Sequence, residues 1–571
     1  MSKFKVIVST TDSIKAVAEQ MSNTALNNGI FGIAIVVDSN KKVVGTLTDG
    51  DIRKFIIKNS DLNSSIESTF NKNPVCVLFS SNKREMHAQA IRQISQRQQL
   101  NKNFSVNKIV VLNDDGTFND VVLLGDLTDD VLSKTVSVYG MGFVGLTLGL
   151  VMCSKGFHVT GVDVSKVVID RLRNNDPHFF ENGLKPLLEA SNSRGAIEFS
   201  SDADSIYSDV YIVAVGTPVD KNNNPNMQYI NEVTNALSKK IKYGDTVIYR
   251  STLPIGTTRN VVVPILEKSG MRAGEDFYVA FAPERTVEGK AIEEVQSLPQ
   301  IVGGYSSKCR DVASKIFKEI THSVVEVESL EAAEMVKLLN NTFRDLVFSF
   351  ANEVSYICEQ YNINAFKLIE AANDGYPRNP IPKPSPGVGG ICLSKDPHLY
   401  TNSSDFNFYK PILGSASREI NSNGHIYVYN KLLHYCSMID KKLEDLDILI
   451  VGLAFKGMPE TSDIRESTAL KLIEILPSRG NIYVKDFVVD KEDIEALGVS
   501  CVDNIGEAFC GKDVVLFMNN HYLNDKFDTY MCFSSMNKNA LVFDGWNLFS
   551  GEEIEKINSL NYSTMGYITH R

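Results

Sequence analysis

The sequence lacks several features that would place the protein in a membrane or outside the cell. It has no apolar run of 18 residues and no segment of low complexity, and it contains a single tryptophan among 571 residues. Without a long apolar run, no membrane-spanning helix is predicted. The first residues, MSKFKVIVSTTDSIK, lack the apolar stretch of a secretion signal. We therefore expect a cytoplasmic protein.

Cysteine is present but is not arranged as a framework. The nine cysteines are odd in number, and none forms a Cys-x-x-Cys or Cys/His pattern suited to a metal. This predicts a reducing compartment, no metal site, and eight cysteines packed as small apolar residues. Cys392 differs, because Gly389 and Gly390 precede it and Lys395 and Asp396 follow it. A nearby cation favours a thiolate, yet local sequence leaves both a structural cysteine and a nucleophile open.

Charge and composition exclude other classes. The net charge is -11, which disfavours nonspecific nucleic-acid binding, and 43% hydrophobic with 22% charged residues is typical of globular proteins. The length predicts several domains and, with the composition, most readily an enzyme. Residues 1–133 hold 15 Lys and Arg against 14 Asp and Glu, whereas the remainder is strongly acidic. This shift predicts a domain boundary near Ser133.

Residues 1–133 contain an internal repeat. Each copy has the pattern helix, strand, turn, strand, helix, and each carries an aspartate after its last strand, Asp51 in the first copy and Asp126 in the second. Because one copy cannot bury its own sheet face, the repeat predicts paired half-sites.

A dinucleotide-binding fingerprint begins at Gly140. Gly140-Met-Gly-Phe-Val-Gly145 lies between a β-branched strand and an apolar helix. Its glycines allow a tight turn, close approach of a pyrophosphate to the helix N-terminus, and close packing of helix on strand. Asp163 follows at the end of the next strand, where a carboxylate accepts hydrogen bonds from ribose hydroxyls and repels a 2′-phosphate. We therefore predict NAD rather than NADP as cofactor.

A long helical segment is predicted from about Leu330 to Tyr361. Apolar residues recur at spacings of three and four residues. Lys337 and Asn341 share one face at a spacing of four, with Glu334 on the same stripe. Such a polar stripe indicates either a solvated face or a function. The Pro- and Gly-rich stretch 373–397 predicts loop, and a second α/β run follows from LDILIVG. Its GLAFKG segment lacks the three glycines, so a second dinucleotide is not expected there.

Seven motifs in order resemble the UDP-glucose/GDP-mannose dehydrogenase family over about residues 136–571. They are GMGFVG, VAVGTPVD, STLPIGTT, APERTVEG, KLLNNTFR, PGVGGICLSKD and GLAFKGMPETSDIRES. The APER and LPQIVGG segments are more similar to the branch that oxidises UDP-N-acetylhexosamines such as UDP-N-acetylmannosamine than to the UDP-glucose branch. Residues 1–133 resemble a pair of CBS modules.

The resemblance implies an α/β fold with four parts. These are a CBS-like α+β pair at 1–133, a Rossmann-type doubly wound NAD domain at 134–325, a central region with the long helix and catalytic loop at 326–435, and a Rossmann-like UDP-sugar domain at 436–571. It also implies a homodimer built on the long helix. One CBS copy is expected to bind an adenine nucleotide near Thr48 and Asp51, and a purely structural or dimerising module is the alternative.

The resemblance further implies an NAD-dependent four-electron oxidation of a sugar primary alcohol to a carboxylate through a cysteine thiohemiacetal and thioester. The implied catalytic residues are Cys392 as nucleophile, Lys337 and Asn341 at the oxyanion, Asp396 as orienting group, Glu284 as base and Thr252 for water. The implied cofactor residues are Gly140, Gly142, Phe143, Val144, Gly145, Asp163, Thr217, Thr252, Lys456 and Arg465. The implied substrate residues are Arg378, Gly389, Gly390, Arg344 and Lys456.

One departure from the family pattern has no explanation at this level. The segment before STLP is IYR, where the family more often has an acidic or small polar residue, so Tyr249 and Arg250 are expected either to alter the local site or to contact a neighbour. Three alternative functions stay open. They are UDP-glucose 6-dehydrogenase, a two-electron dehydrogenase of the β-hydroxyacid type, and a non-catalytic nucleotide-sensing protein.

Overall fold

The computed structural model describes residues 6–25, 32–58, 61–80, 83–100, 106, 108–123, 131–220, 222–404 and 408–568. The chain divides into two compact units, Met1–Ser133 and Lys134–Arg571. Among the described helices none is long and apolar enough to cross a bilayer.

The first unit contains the following described elements: β1 (Ile7–Ser9), α1 (Ile14–Ala25), β2 (Ile33–Val37), β3 (Val43–Thr48), α2 (Asp49–Lys58), β4 (Cys76–Leu78), α3 (Lys83–Leu100), β5 (Lys108–Leu112) and β6 (Phe118–Leu123). Strand β1 pairs parallel with β2, and β2 pairs antiparallel with β3. Strands β4, β5 and β6 repeat this arrangement. The repeat predicted from the sequence is therefore present, and Val110 and Val121 of the second copy share the core of the first. Asp126 lies outside the described residues.

The second unit begins with an eight-stranded sheet and its helices. Its strands are β7 (Thr135–Tyr139), β8 (His158–Val162), β9 (Ile197–Ser200), β10 (Val210–Val213), β11 (Thr246–Tyr249), β12 (Tyr278–Phe281), β13 (Gln300–Gly304) and β14 (Val324–Glu326). Its helices are α4 (Phe143–Ser154), α5 (Lys166–Arg173), α6 (Leu184–Ser193), α7 (Gln228–Ser238), α8 (Val263–Leu266), α9 (Ala291–Ser297) and α10 (Ser307–Lys318).

The strand order in this sheet is β14-β13-β12-β11-β10-β7-β8-β9. The six strands from β9 to β12 are parallel, while β13 joins β12 antiparallel. Strands β10 and β11 are buried along their whole length, as expected for parallel strands covered on both faces. The order reverses between β7 and β10, and in such sheets ligands bind at the carboxyl ends beside that point.

A helical region follows, with α11 (Leu330–Gln360), α12 (Ala365–Asn373), α13 (Ile391–Asn402), α14 (Leu413–Ser422) and α15 (Gly424–Ile439). The Ser329 hydroxyl caps α11 by accepting a hydrogen bond from the amide of Ala332. The stretch predicted as loop up to Pro397 is loop only to Gly390, because α13 begins at Ile391 and continues through Pro397. That prediction was wrong because Pro397 was treated as a breaker.

The last part repeats the doubly wound plan. Its strands are β15 (Ile448–Val451), β16 (Ile482–Lys485), β17 (Ser500–Cys501), β18 (Val514–Phe517), β19 (Leu541–Asp544), β20 (Asn561–Thr564) and β21 (Tyr567–Ile568). Its helices are α16 (Thr468–Ile475), α17 (Lys491–Glu495), α18 (Ile505–Ala508), α19 (Thr529–Ser534) and α20 (Gly551–Ile554). The order β17-β16-β15-β18-β19-β20-β21 reverses between β15 and β18. The loops after these two strands therefore form a second site-bearing edge.

A buried polar network joins α11 to α14 and to the loop before α13. The Asp345 carboxylate accepts hydrogen bonds from Arg418 at 2.7 Å and from Asn421 at 2.8 Å. Asn352 donates to the Asn421 side-chain oxygen and accepts from the amide of Ser385, each within 2.9 Å. Because buried polar groups require partners, this network fixes the course of residues 385–388.

Candidate active site

The glycine loop after β7 has the geometry expected of an anion-binding turn. Gly140 has φ of +94°, and a Cβ on Gly145 would collide with the Gly140 carbonyl oxygen. Gly142 precedes α4 as its N-cap, and a Cβ there would meet no atom within 4 Å. The space beside Gly142 can hold a pyrophosphate. The first amides of α4, including those of Phe143 and Val144, are the groups that bind such an anion at a helix N-terminus.

Three further predicted residues lie at the same carboxyl edge. Asp163 follows β8, and its carboxylate accepts hydrogen bonds from the amides of Met141 at 2.8 Å and Ser165 at 2.9 Å. The Thr217 hydroxyl donates to the Thr252 carbonyl at 2.7 Å, which ties the loop after β10 to the loop after β11. The chain thus places Asp163, Thr217 and Thr252 along the edge where the glycine loop lies.

Glu284 and Lys337 meet where this sheet edge contacts α11. Glu284 follows β12, and its carboxylate lies 3.7 Å from Lys337 Nζ. Both side chains are nearly inaccessible to solvent. A buried ion pair of this kind needs further partners to offset the cost of desolvating its charges.

Helix α13 adds two groups, Asp396 and Cys392, whose charge acts on Lys337. Asp396 is fully buried and accepts a hydrogen bond from the Asn341 amide at 2.6 Å and from Lys395 Nζ at 2.7 Å. Cys392 lies in the first turn of the same helix and is exposed. Five sequence-predicted residues from three separate elements are thereby brought together: Glu284, Lys337, Asn341, Cys392 and Asp396.

The charges of this cluster act on one another. Burial by itself lowers the pKa of Lys337, but the negative charges of Glu284, Cys392 and Asp396 outweigh it, so the pKa lies above its usual value. Burial raises the pKa of the Cys392 thiol, and Lys337 opposes that rise. Cys392 is exposed to solvent, although the protein around it is what raises the pKa of its thiol. The free cluster therefore holds a protonated lysine beside a thiol, and the cation is placed to stabilise a thiolate or an oxyanion.

A cavity of about 460 Å³ lies next to this cluster, between the loop before α13 and the edge of the last sheet. Three cations line it, Arg344, Lys383 and Lys456, together with the rings of Phe348 and Phe455. Cations with aromatic rings suit a ligand that carries both phosphates and a flat base.

Trp546, the one tryptophan of the chain, also lines this cavity. Its indole nitrogen is buried and has no hydrogen-bond partner among the described residues. Neither Lys383 nor Trp546 was singled out from the sequence. The position of Trp546 just after β19, at the carboxyl edge of the sheet, was the available signal.

Gly389 and Gly390 serve packing as well as access. A Cβ on Gly389 would collide with the Glu466 carbonyl, and Gly390 has φ of +83° with the Phe455 ring against it. The resemblance implies these two glycines as substrate residues, and the structure adds a packing reason for them, since the loop lies against Phe455.

The remaining predicted cations occupy different places. The Lys456 ammonium donates to the Glu288 carbonyl at 2.7 Å, and burial lowers its pKa to about 8. Arg465 pairs with Asp463 through two hydrogen bonds of 2.8 and 2.7 Å. Arg378 is exposed, its guanidinium 5.6 Å from the Tyr376 ring, and among the described residues it does not belong to the cavity lining.

The other cysteines mostly follow the packing prediction. Five are buried, Cys76 and Cys501 are partly buried, and Cys510 is exposed, so for Cys510 the prediction was wrong. Its position after the short helix α18 leaves it at the surface. No cluster of His, Cys, Asp and Glu suited to a metal occurs among the described residues.

In the first unit, Thr48 and Asp51 contact each other. The Asp51 carboxylate accepts hydrogen bonds from the Thr48 amide at 3.0 Å and hydroxyl at 2.6 Å. The Asp51 amide in turn lies 3.3 Å from the Thr48 hydroxyl oxygen. This is a reciprocal cap of α2, and it accounts for both residue types whether or not a nucleotide binds there.

Comparison with known proteins identifies relatives of both units. Three models of the UDP-glucose/GDP-mannose dehydrogenase family match: the NAD binding domain at residues 134–321, the central domain at 331–423 and the UDP binding domain at 449–551. A CBS domain model matches residues 1–58, so the match covers the first copy of the repeat alone.

Individual relatives fall in the same family. The chain is 33% identical to a UDP-N-acetyl-D-mannosamine dehydrogenase of Pyrococcus horikoshii over 60% of this chain and 80% of that protein. It is 34% identical to the Campylobacter jejuni protein of the same name, over 60% and 83%. The solved structure of the P. horikoshii UDP-D-ManNAc dehydrogenase aligns with a TM-score of 0.68 and 29% identity, over 76% of this chain and 99% of that chain.

Proposed function

Because this chain belongs to the UDP-glucose/GDP-mannose dehydrogenase family and is an NAD-dependent nucleotide-sugar dehydrogenase, we propose that it oxidises the primary alcohol of a UDP-N-acetylhexosamine, such as UDP-N-acetylmannosamine, to the uronic acid. The observation that carries this proposal is the buried cluster of Glu284, Lys337, Asn341 and Asp396 around an exposed Cys392. A two-electron dehydrogenase has no use for a cysteine at that position.

The first oxidation needs a group that accepts the hydroxyl proton and stabilises the oxygen. Lys337 first passes its proton to the Glu284 carboxylate 3.7 Å away, which releases it to water, and the neutral amine then accepts the hydroxyl proton. Asn341 retains a second N–H for the same oxygen. Gly140–Gly145, Asp163, Thr217 and Thr252 would hold NAD, which would supply the hydride acceptor for each oxidation, one NAD being consumed in each.

The second oxidation starts from a covalent intermediate on Cys392. The thiolate attacks the aldehyde carbon, and the resulting oxyanion takes a proton as the thiohemiacetal forms. Lys337 and Asn341 stabilise that oxyanion. Loss of the second hydride and the hydroxyl proton leaves a thioester on the Cys392 sulfur.

Hydrolysis then releases the acid. Glu284 acts as general base toward a water that Thr252 positions, the water oxygen bonds to the acyl carbon, and the carbon–sulfur bond breaks to restore the Cys392 thiol. Asp396, held by Asn341 and Lys395, keeps the lysine and amide in place.

The cavity lined by Arg344, Lys383 and Lys456 supports a nucleoside diphosphate as the substrate's handle. Lys456 supplies positive charge in this cavity and Arg465 a further charge that acts on Glu288 and Cys392, for the diphosphate or the cofactor, and the Trp546 side chain lines the same cavity. The similarity to UDP-N-acetylmannosamine dehydrogenases supports an N-acetylhexosamine over glucose.

We also propose the domain limits predicted from the sequence, which are 134–325 for the NAD domain, 326–435 for the central region and 436–571 for the UDP-sugar domain.

We also propose that two copies pair through α11. Large apolar side chains on one side of this helix are exposed, namely Leu339, Phe343, Phe350, Ile357 and Tyr361, while its buried side is rich in polar residues. A contiguous exposed apolar stripe marks an interface, and this one supports the homodimer expected of the family.

In the first unit, we propose an adenine nucleotide at Thr48 and Asp51. Both groups are only partly buried, and the carboxylate and hydroxyl can turn from the cap to ribose and phosphate. A CBS domain match at residues 1–58 supports this site.

The test of the main proposal is the number of NADH formed per substrate. With a panel of UDP-N-acetylmannosamine, UDP-N-acetylgalactosamine, UDP-glucose and GDP-mannose, we expect two NADH per UDP-N-acetylhexosamine consumed and a carboxylate product. Cys392→Ser should bind substrate but lose the overall oxidation, whereas Cys510→Ser, the same change at an exposed cysteine outside the cluster, should match the wild type. One NADH per substrate with an aldehyde product would contradict the proposal.

A further inference from the structure

The segment that presents Glu284 is held by two residues outside the cluster. Arg250 directly follows β11 and is 3% exposed. Its Nη1 donates to the Ala282 carbonyl at 3.1 Å and to the Gln300 side-chain oxygen at 2.8 Å. The Gln300 amide nitrogen donates to the Pro283 carbonyl at 2.9 Å. The last two carbonyls before Glu284 are therefore each hydrogen-bonded, Ala282 by Arg250 and Pro283 by Gln300, and these two side chains are bonded to each other.

Arg250 also brings a buried positive charge behind Glu284. Burial lowers the pKa of Arg250 to about 10, and the Glu284 carboxylate opposes that fall. The guanidinium carbon lies 5.6 Å from the Phe317 ring on its other side. At neutral pH Arg250 remains positively charged, and it interacts electrostatically with the Glu284 carboxylate.

The charged groups that face Glu284 come from three elements and its own neighbour. Arg250 approaches from the end of β11, Lys337 from α11 and Cys392 from α13, while Arg285 is adjacent in sequence. Arg250 also lowers the pKa of Lys337.

Packing alone does not account for this arginine. A buried guanidinium costs desolvation energy, and an apolar side chain of similar length would fill the space over Phe317 without that cost. The neighbouring Tyr249 buries its polar group without a charge, since it lies in the sheet core with its hydroxyl 2.7 Å from the Thr234 hydroxyl. This accounts for the departure at IYR noted in the sequence.

We infer that Arg250 and Gln300 are positioning residues that hold Glu284 in place for the hydrolysis of the thioester. The inference rests on the proposed function, because it assigns Glu284 its role as base in that step. It goes beyond that function by naming a pair outside the cluster that controls one half of the reaction.

The experiment follows a single turnover of the full-length protein with NAD and UDP-N-acetylmannosamine. Stopped-flow absorbance measures NADH formation, and rapid quench with intact-mass detection measures the acyl adduct on Cys392. Arg250→Met removes the charge and two hydrogen bonds, and Gln300→Met removes the Pro283 contact but keeps the charge. Arg310→Met, which breaks an ion pair with Glu326 elsewhere in the same sheet, is the matched control.

In Arg250→Met we expect the adduct to persist about 10-fold longer, a modest part of what a general base contributes. NADH formation should be slowed less than hydrolysis, because Arg250 bonds to the segment before Glu284 and not to Lys337, Asn341 or Cys392. Gln300→Met should also prolong the adduct, because it removes the hold on the Pro283 carbonyl, and Arg310→Met should not.

Several outcomes would overturn the inference. Wild-type hydrolysis in both Arg250→Met and Gln300→Met, or an equal slowing of oxidation and hydrolysis, would leave the pair with a structural role only. If thermal melting and NAD binding show that Arg250→Met does not fold, the result for Gln300→Met alone decides the inference. A wild-type protein that forms one NADH and no adduct would instead refute the proposed function, which the same traces show separately.

Discussion

At the scale of single residues, the Cys392 thiol depends on Lys337 for its reactivity. Burial raises the thiol pKa and the lysine lowers it, so the cation sets how much thiolate exists before substrate arrives. The same ammonium contacts Glu284 in the free protein. One side chain thus connects the nucleophile to the base.

This dependence predicts a change in alkylation rate that needs no turnover. In Lys337→Met, the pKa of Cys392 should rise further, and iodoacetamide should modify it about 10-fold more slowly at pH 8, since one pKa unit is tenfold in thiolate. Peptide mass spectrometry follows Cys392 and uses the exposed Cys510 in the same sample as reference. An unchanged ratio of the two rates would contradict the assigned contact.

Asp544 is a second titrating residue, remote from the cluster chemistry. It is buried and accepts hydrogen bonds from the Phe549 amide and the Tyr562 hydroxyl, each at 2.9 Å, yet burial raises its pKa from 3.8 to about 6. The folded state therefore keeps a proton that the unfolded chain releases, so this residue's contribution to stability is lost as pH rises from about 4 to about 6.

Tyr562→Phe should make that loss larger. The hydroxyl donates to the ionised carboxylate, so its removal should cost ~1 kcal/mol more of unfolding free energy at pH 8 than at pH 5. Urea unfolding at the two pH values measures the difference. Tyr249→Phe, which loses a bond to the neutral Thr234, should lower the unfolding free energy by the same amount at both pH values. If Tyr562→Phe also lowered it equally at pH 5 and pH 8, the Asp544 assignment would be refuted.

At the scale of elements, α11 has its polarity reversed relative to an ordinary surface helix. Its inward side carries Asp345, Ser349, Asn352 and Ser355, all buried. Of these, Asp345 and Asn352 hold α14 and the loop before α13. Its apolar side is exposed. The helix therefore presents Lys337 and Asn341 to the site from a scaffold that a second copy would complete.

Phe343→Glu should accordingly separate the pair. Phe343 is 65% exposed, and a carboxylate there would be buried without a partner in the dimer, a cost of several kcal/mol. Sedimentation velocity should show monomer in the variant and dimer in the wild type. The matched change Tyr530→Glu, at an aromatic 67% exposed in the last domain, should leave the dimer intact. A dimeric Phe343→Glu would remove α11 as the interface.

At the scale of the whole molecule, all proposed catalytic and cofactor residues lie in the unit Lys134–Arg571. The first unit has its own core, formed by both copies of its repeat. A chain that starts at Lys134 should therefore show the same kcat and KM in the NADH assay as the full chain without added nucleotide. A chain that starts at Lys134 and is folded but inactive would show that the first unit is required for turnover.

The nucleotide proposal is tested on the full chain. Calorimetric titration with AMP and ATP should give binding that Asp51→Asn abolishes, because the amide keeps an acceptor for the cap of α2 but loses the charge that a ribose diol favours. The chain that starts at Lys134 should show no heat beyond that of the dinucleotide site. No difference between the full chain and Asp51→Asn would leave the Thr48–Asp51 pair as a helix cap.

The sequence by itself determined the local parts, and the tertiary structure decided how they meet. The glycine loop, the long helix and the succession of strands along the chain follow from patterns within a few residues, because turn geometry and hydrophobic period are local properties. The contact of Glu284 with Lys337, the hold of Asp396 on Asn341, and the Arg250–Gln300 pair join residues 50 or more positions apart. No local pattern encodes such contacts, since burial and partner choice arise only when distant elements pack.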